Sequence, residues 1–144
     1  MATEFEGDMA AACGQLDEAR RALIDAVSSM SDGDLEKGRR GGWTVRRVLE
    51  HVIWSESLYG RLLRHLRGER VEGEIPPCTP ESVADARARL EASRAALLGA
   101  LEGVDEESFY KLQTIGHEEY SVLSLLENTA MHDNEHAAQV RELA

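Results

Sequence analysis

Apolar residues recur along this chain with the 3.6-residue period of an α-helix, in four separate stretches. The first, from about Thr3 to Met30, aligns Phe5, Met9, Ala12, Leu16, Ala19, Leu23, Val27 and Met30 on one face, and Ser31-Asp32-Gly33 stops it. The second opens on Thr44 as N-cap and carries Val45, Val48, Leu49, Val52, Tyr59, Leu63 and Leu66, with Gly68 beyond its end. Thr79-Pro80-Glu81 opens the third, as a hydroxyl cap, a proline at the first helical position and an acid in the first turn. Its stripe is Val83, Ala86, Leu90, Leu97 and Leu101, and Gly103 closes it. The fourth begins near Ser121 and carries Val122, Leu125, Leu126, Thr129, Val140 and Leu143. No stretch alternates with the period of two that a half-buried strand needs, so no strand is expected.

Each helix is ~20–25 residues long, or ~30–37 Å at the helical rise. Four such helices with single apolar stripes predict an all-α protein, a four-helix bundle spanning residues 1–144 as one domain. The connections, about 31–43, 67–79 and 104–120, are longer than an up-down-up-down order requires. Thirteen extended residues reach ~43 Å, enough to run the length of a helix, so at least one connection is expected to cross over.

Charge narrows the function classes. The chain has 144 residues and a formal net charge of −11, which opposes counterion-driven nucleic-acid binding and docking on anionic lipid. No run approaches the ~20 apolar residues of a membrane span, and the acidic opening MATEFEGDMAAACG does not resemble a signal peptide. Cys13 and Cys78 match no metal or redox spacing and read as ordinary thiols, so a reducing, cytoplasmic setting is expected.

The candidate chemistry lies in the histidines. His132 and His136 stand four apart on the fourth helix, within the arc of Leu125, Thr129, Val140 and Leu143, so both imidazoles point into the bundle. Two buried rings one turn apart cannot both stay charged and unpaired. A divalent cation on two neutral nitrogens relieves this, as does a pair of hydrogen-bonded core histidines, or one buried ring with one exposed. His51 lies at the edge of the second stripe. It is ~10 Å from the start of its helix, and His136 and His132 are ~10 and ~16 Å from the end of theirs. The levels match if helices two and four run antiparallel, which a crossover between helices two and three produces. The order is then up-down-down-up. His65 and His117 read as surface residues.

Trp43-Thr44-Val45-Arg46-Arg47-Val48-Leu49-Glu50-His51 resembles the opening of helix two in DinB-like proteins, the DinB/YfiT superfamily. His132-Asp133-Asn134-Glu135-His136-Ala137-Ala138-Gln139-Val140 is similar to that family's closing motif. The resemblance implies an up-down-down-up bundle and a three-histidine site for a divalent ion, with His51, His132 and His136 at the ligand positions. It also implies an enzyme, either a thiol-dependent transferase or a hydrolase. Zn²⁺ suits such a site best, and Ni²⁺ or Fe²⁺ would also accept its nitrogens. The open position takes either water or a low-molecular-weight thiol, and the sequence does not choose.

Around these ligands, Asp133 projects onto the apolar side of helix four. It either orients a histidine or pairs with Arg46, Arg47 or the Trp43 indole. Glu135 and Gln139 flank the histidine face, and Asp133 and Glu135 are the candidate catalytic acids. Ser55 and Tyr59 stand one and two turns beyond His51, as pocket residues or core, and Trp43 is expected to seal the bundle end. The expected partner is a small-molecule substrate, with a homodimer also open. The competing reading is a non-catalytic bundle that uses its helix faces to dimerise or bind a partner.

Overall fold

A computed structural model describes residues 2–144. Four long helices dominate it: α1 (Glu4–Ser28), α2 (Val45–Leu66), α3 (Val83–Ala100) and α5 (Val122–Leu143). The helix starts follow the hydroxyl caps. Thr3 and Glu6 form a capping box, the Thr44 hydroxyl accepts from the Arg47 amide at 3.2 Å, and Ser121 caps α5.

Two local expectations are corrected. The third helix starts at Val83 rather than at Thr79-Pro80-Glu81, because Ser82 supplies the cap and accepts from the Asp85 amide at 3.0 Å. The Thr79 hydroxyl is instead taken by Glu50 Oε2 at 2.6 Å, and the Pro80 carbonyl by Arg46. The connection expected to be strand-free, 104–120, contains a short helix α4 (Glu106–Tyr110) and a hairpin of β1 (Gln113–Ile115) and β2 (Glu118–Tyr120). Three-residue strands are too short for alternation to register in a sequence. Their two-residue turn depends on Gly116 at φ +65°, a conformation that glycine adopts without strain.

Helix directions follow from which ends share a core. One apolar cluster joins Leu23 and Val27 of late α1, Val45 and Val48 of early α2, Ala86 and Leu90 of early α3, and Ala137 and Val140 of late α5. The other joins Ala12 and Leu16, Leu63 and Leu66, Leu97 and Ala100, and Val122 and Leu125. Thus α1 and α5 run one way, and α2 and α3 run the other. This is the up-down-down-up order, with the crossover between α2 and α3. Arg61 straps that crossover to α2 by donating to the carbonyls of Gly73 and Glu74.

Between the two apolar halves lies a buried charged layer with one residue from each long helix: Arg20, Glu56, Arg94 and Asp133. Arg20 donates to Asp133 at 2.9 and 3.1 Å, to Glu56 at 2.8 Å and to the Leu90 carbonyl at 2.7 Å. Arg94 donates to Glu56 at 2.9 Å, to Asp133 at 2.7 Å and to the Leu16 carbonyl at 2.9 Å. Ser93 completes Glu56 with a hydroxyl bond of 2.6 Å. Two cations and two anions cancel, and among the described residues no buried side-chain polar atom lacks a partner. That completeness makes the burial of four charges tolerable.

Candidate metal centre

Because α2 and α5 are antiparallel, His51 in the first half of α2 meets His132 at the middle of α5 and His136 one turn beyond it. The edges of the rings converge. His132 Nε2 lies 3.1 Å from His51 Nε2 and 3.0 Å from His136 Nε2. One ligand atom from each residue falls within 4.8 Å of the others, and all three side chains are partly buried.

The proton inventory of this cluster is unusual. Gln139 Oε1 is 2.7 Å from His136 Nδ1, and because an amide oxygen only accepts, this contact favours the tautomer with the proton on Nδ1. In the neutral ring, Nε2 then presents a bare lone pair towards His132. Burial, followed by the adjoining His136 and His51 rings, pushes the pKa of His132 down to about 4. His51 is also lowered, by burial first and then by His136 and the Arg47 cation. A neutral His132 ring carries a single proton, so its Nε2 can donate to at most one of the two nitrogens beside it. Nitrogens held ~2.0–2.1 Å from a tetrahedral ion are about 3.3 Å apart, close to the two separations from His132 Nε2 and within the 4.8 Å that spans the set, so the group fits a divalent cation.

The sequence matches the profile of the DinB superfamily over residues 15–140. The chain belongs to the DinB superfamily. Solved structures agree on the fold. TT2238, a four-helix bundle protein, superposes with a TM-score of 0.69 at 24% identity, covering 90% of this chain and 94% of its own. A DinB-like protein from Bacillus cereus reaches 0.69 at 20% identity, over 96% and 89%. A DinB-like protein from Bacillus subtilis, YjoA, reaches 0.66 at 12% identity, over 90% and 86%. No curated protein matches the sequence.

Around the histidines of this DinB-superfamily chain, the other candidates divide. Gln139 touches His136, and the Tyr59 ring stands edge-on to His132 with centroids 5.9 Å apart. Burial, then the charges of Asp133, Glu135 and Glu118, raises the Tyr59 pKa, so its phenol is neutral at physiological pH. Ser55 is buried in α2. Glu135 is exposed on α5. Asp133 is buried, and its hydrogen bonds go to Arg20 and Arg94 rather than to a histidine, to Arg46, Arg47 or the Trp43 indole. Next to His132 in sequence, it lies about 100° around the helix and faces the charged layer. Trp43 does not seal the bundle end. It is 43% exposed, with its ring 5.2 Å from that of His51 and 4.9 Å from the Arg47 guanidinium. His65 and His117 are exposed, as expected.

Sequence reasoning missed Arg20, Glu56 and Arg94. A signal was present. Each occupies a stripe position, four after and three before an apolar residue: Leu16-Arg20-Leu23, Val52-Glu56-Tyr59 and Leu90-Arg94-Leu97. A charge on three separate apolar stripes, together with Asp133 on the fourth, indicates a shared buried layer.

Proposed function

We propose that this DinB-superfamily protein is a metal-dependent enzyme acting on a small molecule. The observation that carries the proposal is the convergence of the His51, His132 and His136 Nε2 atoms, 3.0 and 3.1 Å apart about His132, in surroundings that keep His132 neutral. Three neutral nitrogens suit Zn²⁺ best, with Ni²⁺ and Fe²⁺ as further candidates. A dication with an open position supplies Lewis-acid activation of water, for hydrolysis, or of a small-molecule thiol, for group transfer.

The chain's own residues orient the site. Gln139 holds the His136 ring in the tautomer that leaves Nε2 unprotonated, and Tyr59 offers an edge against His132. Asp133 is engaged by two guanidinium groups, which does not support a role as general base, and Glu135 stays the exposed candidate on α5. A thiol nucleophile would come from outside the protein: the buried Cys78 donates to the Pro76 carbonyl, and Cys13 lies between Ala12 and Leu16, which pack in the apolar half away from early α2 and late α5. Among the described residues no helix is long and apolar enough to cross a membrane, and Cys13 and Cys78 are both free, which suits a cytoplasmic setting. The charge of −11 disfavours nucleic acid as substrate.

Elemental analysis of the purified protein tests the reading. One equivalent of divalent metal is expected, lost in His51→Ala and in His132→Ala. Unchanged metal content in both variants would sink the proposal. A sulfur-to-metal charge-transfer band on adding a thiol to the Co²⁺-loaded protein favours group transfer over hydrolysis.

A further inference from the structure

The mouth of the histidine cluster has a feature that metal binding alone leaves unexplained. A cavity of about 320 Å³ opens beside His51, lined also by Arg47, Glu50 and Trp54. The chain has two tryptophans: Trp54 lines this cavity, and the Trp43 ring lies 5.2 Å from that of His51. Trp43 is 43% exposed and Trp54 is 42% exposed, although an indole ordinarily buries most of its large apolar surface. The exposed Trp54 indole gives the cavity an unfilled apolar wall.

The polar side of the cavity is equally specific. Arg47 donates through Nη1 to Glu50 Oε1 and lies over the Trp43 ring. Glu50 Oε2 in turn accepts the Thr79 hydroxyl at 2.6 Å, so both carboxylate oxygens are engaged. Glu50 therefore acts as a clamp that fixes the guanidinium. The Nε and Nη2 donors of Arg47 meet no protein acceptor among the described residues. A planar, anchored cation with donors to spare matches a carboxylate. Beside it, a flat indole matches an apolar or aromatic body.

We infer that this cavity is the substrate subsite and takes a small carboxylate with a flat apolar body, its carboxylate on Arg47 and its body on Trp54. The inference rests on the metal-site reading for the meaning of the adjoining His51, but not for these contacts.

Tryptophan fluorescence reads the subsite through Trp54, which lines it, and titration calorimetry reads it in the W54A variant that lacks this reporter. The probes are phenylacetate, its neutral isostere phenylacetamide, and acetate. Phenylacetate is expected to bind about ten-fold tighter than phenylacetamide, the scale of a charge-assisted hydrogen bond. Arg47→Gln removes that preference. Trp54→Ala weakens phenylacetate and leaves acetate unchanged. Equal binding of phenylacetate and phenylacetamide, no binding of either, a preference that survives in R47Q, or full phenylacetate affinity in W54A would each overturn the inference. Metal content measured on the same samples separates the two readings. Metal-free protein with an Arg47-dependent preference defeats the proposed function alone, and metal-loaded protein without that preference defeats the subsite alone.

Discussion

Arg20 of α1 grips Asp133 of α5 through two parallel hydrogen bonds, Nε to Oδ2 at 2.9 Å and Nη2 to Oδ1 at 3.1 Å. Asp133 follows His132 directly, so the guanidinium that ties α1 to α5 also fixes the turn of α5 that presents His132 to His51. The same Arg20 reaches Glu56, five residues beyond His51 in α2. The charged layer thus holds both helices of the histidine site at a common level.

Removing one member of the layer strands its partners. Asp133→Ala leaves two buried guanidinium groups sharing one carboxylate and is expected to cost about 3–5 kcal/mol of unfolding free energy. The double variant Arg20→Met with Asp133→Leu leaves the Arg94–Glu56 pair balanced and recovers much of that loss. Urea denaturation of the metal-free proteins measures both. A D133A protein within about 1 kcal/mol of wild type would contradict the account.

Gln139→Ala releases the Nδ1 proton of His136 from its acceptor, and the ring loses its preferred tautomer and orientation. Metal affinity is expected to fall by about ten- to a hundred-fold, with little change in helix content. Competition with a chromogenic chelator gives the number. An unchanged dissociation constant would remove Gln139 from the site.

Acid acts on the metal-free protein through His51 and, more strongly, through His132. Its folded pKa of about 4 lies below the ordinary 6.5, so between these values the unfolded chain binds more protons than the folded one. The stability associated with neutral His132 is therefore present above pH 6.5 and is lost as pH falls from 6.5 through 4. His132→Asn removes that contribution, and the difference between the wild-type and H132N stability curves should decline over this window. Parallel curves would show that His132 titrates normally. Carboxylate protonation destabilises both proteins alike and drops out of the difference.

The start of α3 separates two hydroxyl residues. Ser82→Ala deletes the cap on the Asp85 amide and should cost about 1 kcal/mol. Thr79→Ala loses only an exposed bond to Glu50 and should cost well under that. Thermal melts of the two variants decide between them, and the reverse ranking would restore Thr79 as the cap.

The sequence alone determined the elements whose cause is local or periodic. Stripe spacing defined the four long helices, Thr3, Thr44 and Ser121 marked three of their starts, and the long connections implied at least one crossover, which the matched depths of the histidines placed between α2 and α3. Helical spacing and rise also singled out His51, His132 and His136 as able to meet, because rise per residue converts position into depth. Only the tertiary structure decided which side chain each polar group meets. Asp133 could be assigned to the inward side of α5 from its position. Whether it met a histidine, Arg46 or Arg20 depended on the rotation and spacing of three other helices. Trp43 likewise carries no local mark of exposure, because burial of an indole depends on whether another element covers it. Helix periodicity is written residue by residue, whereas a charged layer assembled from four helices exists only when all four are in place.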